Sequence, residues 1–518
     1  MKLEEIYSAQ VGKKHLKAFG QFFTPDLIAE FMCRWAGKNA RNMLDPAVGN
    51  GVFLHKIAKF YPHCNLTGYE LDAGILDFFG NTSGAKIFQG DYLTMDWQTK
   101  YDAIVGNPPY NKFQSVGNRQ DILQRIYQET GCRYSSNSNL YLLFLAKSIF
   151  QLADKGRLAY LIPSEFLNSA YGAQLKEKLL QERLLRCVIN FADNEKIFPA
   201  ANTTCCILLL DKMPKKDILF FNLASVEELL HIDVDSEQGA KCVKIEYGKI
   251  NAVEKWRPYL YQEEKSHYQN LVPIEKYCRI ERGIATGAND FFCLSSQQAA
   301  TLHIDKEYLK PCLCHSRDVR EIILGQRDWQ ALADKQCQAY LLDIQGEPAG
   351  GVQAYIQQGE KLGLPQRYLL SKRHPWYSME QKSPAPILIS SAYRNNYKVL
   401  RNLAKTANLT AFHRIFVREA YEKFTDIIFC YLLTKTAREL IDLNRKEMGR
   451  GLAKLQPGDL LQAEMLNIEI LHVEDIKNIL YIYSKILAKK AALPSLVQEI
   501  EKIFQPYYYK NSNCCTNR

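Results

Sequence analysis

Four short apolar runs in the first part of the chain each lead to a polar side chain at their carboxyl end, and this recurrence constrains the fold more than any other feature. Asn42-Met43-Leu44 leads to Asp45, Leu66-Thr67-Gly68-Tyr69 to Glu70, Ile87-Phe88-Gln89-Gly90 to Asp91, and Tyr101 to Val105 to Asn107-Pro108-Pro109-Tyr110. Apolar runs this short suit strands better than helices. Further runs of the kind occur at Leu158 to Ile162, Arg186 to Asn190 and Thr204 to Leu210. Helical patterns fall between most of them, at Gly51 to Phe60, Leu140 to Leu152 and Tyr171 to Glu182. Another helix is expected over Asp26 to Trp35, with Thr24 as N-cap and Pro25 at the first helical position. Alternation of this sort predicts an α/β, Rossmann-like, doubly wound and mostly parallel sheet, with ligands bound beyond the carboxyl ends of its strands.

That sheet is expected to occupy residues 1–210. The polar segment Asn111 to Asn139, rich in Ser and Asn near its end, reads as a loop after the Asn-Pro-Pro-Tyr tetrapeptide. Beyond Asp211-Lys212-Met213-Pro214-Lys215-Lys216 the alternation weakens, so 211–255 is read as a boundary region. Residues 256–510 are expected to form a mixed α+β domain, with turns at Gly346-Glu347-Pro348 and Gly350-Gly351 and a helical end. The polar residues 511–518 are expected to be disordered.

Composition excludes several classes. With 518 residues, 47% hydrophobic and 24% charged, the chain can bury the cores of two or three domains. No apolar run is long enough to span a bilayer and no secretory leader is apparent, so a cytoplasmic protein with no membrane partner is expected. The 15 cysteines show no paired C-x-x-C spacing, which points to reduced thiols. Cys312-Leu313-Cys314-His315 has too few ligands for a tetrahedral zinc site and no second cluster completes it, so no metal is expected.

The loop Asp45-Pro46-Ala47-Val48-Gly49-Asn50-Gly51 follows a strand and opens a helix. Its glycines permit a sharp turn and close approach of backbone to ligand. It is neither the dinucleotide fingerprint G-x-G-x-x-G nor a phosphate loop, which would carry a lysine. Asp45 suits a cationic cofactor such as S-adenosylmethionine, Glu70 its ribose hydroxyls and Asp91 its adenine amine. In Asn107-Pro108-Pro109-Tyr110, the Asn side-chain oxygen and the Pro108 carbonyl can accept both hydrogens of an exocyclic amine. That draws the nitrogen lone pair toward a methyl donor, with the prolines preorganising both acceptors. Tyr110 offers a ring for stacking the target base.

Phe19-Gly20-Gln21-Phe22-Phe23-Thr24-Pro25, then the Asp-Pro-Ala-x-Gly-x-Gly loop, then Asn-Pro-Pro-Tyr, resemble the gamma class (TaqI-type) of DNA adenine-N6 methyltransferases, usually the modification half of a type II restriction–modification pair. The resemblance covers about residues 15–210. It implies that Phe22, Thr24 and Pro25 contact the methionine end of S-adenosylmethionine, that Asp45, Ala47 and Gly49 line its backbone, and that Glu70 and Asp91 hold ribose and adenine. It implies also that Asn107, which lies against the cofactor, grips a flipped adenine together with Pro108 and Tyr110, while Phe198 in Ile197-Phe198-Pro199 stacks on the other face of the base. The loop departs from the family's commoner D-P-A-C-G-S-G at Val48 and Asn50, keeping both glycines and the acid.

Arg282 to Phe292 resembles the R-G-x-x-T-G-x-N-x-x-F stretch of target-recognition domains in this class, which implies phosphate or base contacts at Thr286 and Asn289. Gln366 to Arg418 carries ten Lys or Arg and one acid, Glu380, and its balance of +9 is nearly the whole net charge of +10. Aromatic residues including Tyr368, Trp376, Tyr393 and Tyr397 are interleaved there, a pattern suited to nucleic acid, with Arg394, Lys398 and Arg401 as candidate DNA contacts. The expected partner is double-stranded DNA, bound by a monomer, with a cognate restriction endonuclease as a genetic rather than physical partner. Enzymes that methylate an RNA amine or a protein glutamine share the tetrapeptide and are the alternative.

Overall fold

In the computed structural model, the described residues are 3–81, 83–111, 119–135, 138–168, 172–192, 197–198, 204–239, 242–261, 268–447, 452–489 and 491–509. They divide into two units, Met1–Glu263 with Glu447–Gly451, and Glu264–Lys446 with Leu452–Arg518. All seven runs named above are strands of one sheet in the first unit: β1 Asn42–Asp45, β2 Asn65–Glu70, β3 Lys86–Gln89, β4 Tyr101–Gly106, β5 Leu152–Pro163, β6 Leu185–Phe191 and β7 Cys205–Asp211. Two more, β8 Asp217–Leu223 and β9 Val243–Glu246, complete the order β3-β2-β1-β4-β5-β7-β6-β8-β9. β7 runs antiparallel between β5 and β6, and β9 runs antiparallel to β8; the other neighbours are parallel.

Alternate side chains of each strand enter different cores, as the twofold pleat requires. Leu44, Ile104 and Val188 lie in one apolar cluster, and Met43, Ala103, Val105 and Ile189 in another. Both faces are therefore covered, which is why these strands read as continuous apolar runs. The helices are α1 Leu3–Phe19, α2 Asp26–Ala36, α3 Val52–Phe60, α4 Ala73–Phe79, α5 Arg119–Thr130 and α6 Leu140–Gln151, followed by shorter ones. α6 is apolar almost all round and nearly every residue in it is buried. Because β2 and β3 extend the sheet on one side of β1 while β4 and β5 extend it on the other, the order reverses between β1 and β4. The loops after these two strands thus open onto the same crevice.

Three features differ from the expectations, and a fourth lies outside them. α2 begins at Asp26 with Pro25 in the N-cap position, and the Pro25 carbonyl accepts the Ala29 N–H at 3.1 Å. Thr24 makes no cap, because its hydroxyl is used elsewhere. Within the segment expected as a loop, α5 forms because Ile122 and Ile126, one turn apart, bury against the core while its other faces stay polar. The region 211–255 carries β8 and β9 of the main sheet rather than a plain connection: Ile218, Leu219, Phe220 and Phe221 are wholly buried, but a short charged turn precedes them and hides the continuity. Finally, the residues before the Gln21–Pro25 motif form α1, interrupted at Gly12 with φ 76°.

The second unit contains a five-stranded sheet in the order Cys278–Arg282, Phe412–Val417, Ile387–Ser390, Val399–Asn402, Ile323–Leu324, and a four-stranded one, Cys293–Leu294, Tyr340–Leu342, Leu309–Leu313, Ala407–Asn408. Helices Thr425–Leu433, Val473–Leu487 and Leu493–Tyr508 share a core with the larger sheet. This is the expected mixed α+β character. Among the described residues, no helix is long and apolar enough to cross a membrane. Residues 511–518 lie outside the described residues, as does Pro199.

Candidate active site

The loop after β1 is shaped by its glycines. Gly49 has φ 55° and Gly51 φ 77°, left-handed conformations that a side chain would strain. Two contacts fasten the loop to the end of β2: the Val48 N–H donates to the Tyr69 carbonyl at 3.0 Å, and the Gly49 N–H to Glu70 Oε2 at 2.8 Å. Val48 can pack there because Gly68 has no Cβ; one would lie 2.5 Å from the Val48 methyl. Glu70 Oε1 accepts from the Asp72 N–H at 2.9 Å, so both oxygens are oriented by backbone.

A cavity of about 930 Å3 opens over these strand ends, lined by Phe22, Thr24, Ala47, Gly49, Glu70, Asp91 and Asn107 among others. Seven of the residues expected at the site are therefore brought together, from five separate stretches of chain. Burial raises the Glu70 and Asp91 carboxyls above the usual range. Pro25, Asp45, Pro108, Tyr110 and Phe198 do not line the cavity. Asp45 is fully buried; its Oδ1 accepts the Ala47 N–H at 3.1 Å, and burial raises its pKa to about 8.

The Asn107 amide is held in one orientation. Its Nδ2 donates to the Phe22 carbonyl at 2.8 Å and to Thr24 Oγ1 at 3.1 Å, which leaves Oδ1 as the uncommitted acceptor. Oδ1 is buried and has no partner among the described residues, as are Asp45 Oδ2 and Gln21 Oε1. A buried acceptor without a donor costs free energy until something supplies one. A large cavity lined by Gln21 and Asn107, which carry two of these acceptors, and by the Glu70 and Asp91 carboxyls fits a cationic, hydroxyl-bearing and amine-bearing molecule, so the residues present suit S-adenosylmethionine. Beside Asn107, the Phe22 ring lies 5.2 Å from that of Tyr110 and 5.4 Å from that of Phe198, and Tyr110 and Phe198 are 6.3 Å apart and edge-on.

Two groups of residues were not found from sequence. Asp72 Oδ2 gathers Tyr7 OH at 3.0 Å, His15 Nε2 at 2.7 Å and Gln21 Nε2 at 2.7 Å, which ties α1 and the Gln21–Pro25 segment to the start of α4. The signal was present in Asp72, an acid two residues past Glu70 and placed to cap a helix. Lys147 on α6 is wholly buried, with Nζ donating to the Tyr92 carbonyl and, at 3.1 Å, to that of Met95. It braces the turn that carries Asp91, and burial lowers its pKa to about 7. A lysine inside an apolar helix was the available signal.

In the second unit, most of the residues expected to contact DNA have partners within the fold. Thr286 is buried; its hydroxyl donates to Asn289 Oδ1 and accepts the Ala288 N–H at 3.1 Å, so both side chains shape a turn. Lys398 Nζ donates to the Ser316 and Val319 carbonyls, and Arg401 pairs with Asp426 at 2.8 Å. The charge of Arg401 is thus answered within the fold, whereas Lys398 stays exposed. Arg394 and Asn289 remain exposed. His315 lies 2.8 Å from Gln338 Oε1, and among the described residues no group of three or more potential metal ligands occurs.

Comparison with known proteins agrees with this geometry. Residues 5–276 match the N-6 DNA Methylase family, and residues 254–501 the C-terminal domain of type II methyltransferase M.Eco57I. Type II methyltransferase M.AccI of Acinetobacter calcoaceticus is 35% identical, over 98% of this chain and 96% of its own. M.XamI of Xanthomonas campestris pv. amaranthicola is 21% identical, over 88% and 86%. Among solved structures, the type IIG restriction endonuclease BpuSI shares 12% identity over 98% of this chain and 68% of that one, with a TM-score of 0.46. The strand order, the crevice at its reversal and the full-length relationship converge: the chain belongs to the N-6 DNA methylase family and is an adenine-specific DNA methyltransferase.

Proposed function

We propose that this chain methylates N6 of an adenine flipped out of a specific double-stranded DNA site, using S-adenosylmethionine bound in the 930 Å3 cavity. The observation that carries the reading is Asn107 Oδ1, a buried acceptor left without a donor by an amide whose other end is doubly anchored. S-adenosylmethionine supplies the electrophilic methyl group. Asn107 Oδ1 accepts one hydrogen of the adenine amine and the Pro108 carbonyl accepts the other, which concentrates the nitrogen lone pair toward the methyl group. No strong base is required, because the amine becomes acidic as it is alkylated, and the acceptors need no rearrangement at that moment. Tyr110 and Phe198 then flank the base, which takes the amine out of the duplex stack. Glu70 is assigned to the ribose, Asp91 to the adenine of the cofactor, Phe22 and Thr24 to its methionine end, and Ala47 and Gly49 to its backbone.

The relatives named as type II methyltransferases support a role in modification, in which methylation shields the cell's DNA from a cognate endonuclease. In this role the enzyme works in the cytoplasm as a monomer, with the endonuclease as a genetic partner. The test is incubation with labelled S-adenosylmethionine and mixed-sequence duplex, followed by nucleoside analysis and mapping of the modified sites. N6-methyladenine at one short sequence is expected. Label on cytosine, RNA or protein instead would overturn the assignment.

A further inference from the structure

The basic stretch 366–418 does not form one charged face. Arg373, Lys382, Lys398, Arg401, Arg414 and Arg418 each donate to carbonyls or carboxylates of the fold. What remains exposed at its start is Arg367, Tyr368 and Lys372. Tyr368 is 82% exposed, more than any other large hydrophobic or aromatic residue among those described, and Lys372 Nζ lies 5.9 Å from its ring. Arg367 and Lys372 make no ion pair among the described residues.

The ring is presented by a braced support, not by a slack loop. The Ser371 N–H donates to the Arg367 carbonyl at 2.8 Å, the Ser371 hydroxyl to the Tyr368 carbonyl at 3.1 Å, and the Arg373 N–H to the Leu370 carbonyl at 3.0 Å. Leu370 is fully buried and packs where Gly287 has no side chain; a Cβ there would stand 3.1 Å from it. The Arg373 guanidinium donates to the Ala285 and Thr286 carbonyls. The Arg282–Phe292 stretch thus acts as a pedestal: its Thr286 is committed to the turn, and the residues it supports are those that face outward.

We propose that Tyr368, flanked by Arg367 and Lys372, is a DNA-contacting projection in which the ring wedges against a partly unstacked base step of the duplex and the two cations hold neighbouring phosphates. An exposed ring on a preorganised backbone loses little conformational freedom on insertion, and a partly unstacked step offers it a base face. Two unpaired cations beside it supply the counterion-releasing attraction that a stacking residue alone lacks. This inference rests on the DNA reading above. The occupant is duplex DNA, because the positive flanks complement phosphate and the enzyme's substrate is DNA.

The experiment measures duplex binding by the full chain across a salt series, for wild type, Tyr368→Ala, Tyr368→Phe and the double variant Arg367→Ala/Lys372→Ala. Tyr368→Ala should weaken binding about tenfold with the salt slope unchanged, and Tyr368→Phe should restore it to near wild type. The double variant should flatten the slope of log K against log salt by about 1.8, two phosphates' worth. Cofactor affinity and thermal midpoint should stay at wild-type values in all three. Wild-type binding by Tyr368→Ala, a Phe variant as weak as the Ala variant, or an unchanged slope in the double variant would each overturn the proposal. Failure of the DNA reading itself would appear differently, as a wild-type chain that neither binds nor methylates duplex.

Discussion

Asp45 offers a test of the site that needs no substrate. It lies at the end of β1, is 0% exposed, makes one backbone hydrogen bond through Oδ1, and has its pKa raised to about 8 by burial. In the unfolded chain the same carboxyl titrates near 3.8. Between these values the folded protein holds a proton that the unfolded chain has released. Raising the pH therefore favours the unfolded state, by about 1.4 kcal/mol per unit. Asp45→Asn copies the neutral carboxyl in shape and does not titrate. From pH 5 to pH 7, wild type should lose roughly 3 kcal/mol of stability relative to Asp45→Asn, as two units at this slope require. Urea denaturation of both proteins at several pH values measures the difference, followed in the catalytic unit. Parallel pH dependence in the two proteins would refute the reasoning, since it would mean that the carboxyl keeps its ordinary acidity in the fold. The pair also tests the cofactor role. If a cation binds near Asp45, wild-type cofactor affinity should rise with pH up to about 8, and Asp45→Asn should remove that rise.

Asn107→Ala should lower single-turnover methyl transfer by at least about 100-fold, the scale of one lost preorganised partner, while cofactor affinity by calorimetry changes far less; transfer within tenfold of wild type would move the amine contact elsewhere. Glu70→Ala should raise the dissociation constant for S-adenosylmethionine, because the ribose hydroxyls lose a charged acceptor. In wild type, affinity should fall as the pH drops through the raised carboxyl pKa values of Glu70 and Asp91, since binding favours their ionised forms. Lys147→Met keeps the volume but strips donors from the Tyr92 and Met95 carbonyls, and should cost about 1–3 kcal/mol in stability and weaken cofactor binding through the Asp91 turn. A Lys147→Met protein with wild-type stability and affinity would show that the turn holds its shape unaided.

The sheet was legible because burial on both faces leaves a periodic trace: runs such as Cys205–Asp211 have no polar position until they end. The strand-end acids were legible for the same reason, as polar residues that interrupt apolar runs. What sequence could not supply was the direction in which each acid points. Asp45 and Glu70 look equivalent as acids after strands, yet Glu70 reaches the cavity, while Asp45 turns beneath the loop it precedes. Thr24 shows the same limit. Its position before Pro25 suggests a helix cap, and only the folding of β4 beside it shows that its hydroxyl anchors Asn107 instead. Contacts that join distant segments, such as Tyr7, His15 and Gln21 on Asp72, leave no local pattern at all.

The second unit shows where a charge count fails. Along residues 366–418 the balance is +9, but acids from elsewhere in the chain answer some of these cations: Glu281 for Arg414 and Asp426 for Arg401. A sequence window counts charges by neighbourhood along the chain, whereas a surface counts them by neighbourhood in space, and β-sheet pairing makes the two differ most. Phe412–Val417 lies beside Cys278–Arg282 across more than a hundred residues, which brings Arg414 opposite Glu281. Cations inside such ladders are consumed by their partners, and free ones survive where the chain leaves the sheet. Arg367 and Lys372 lie on that kind of segment, between the helix Gly350–Lys361 and the strand Ile387–Ser390, and Arg394 lies just past that strand. A search for DNA contacts in this unit therefore belongs in the connections between strands. Neutralising Arg401 should cost stability through Asp426 with little effect on the salt dependence of DNA binding, the opposite of what its place in a basic run suggests. A flattened salt slope in Arg401→Ala at unchanged stability would restore the simple charge count.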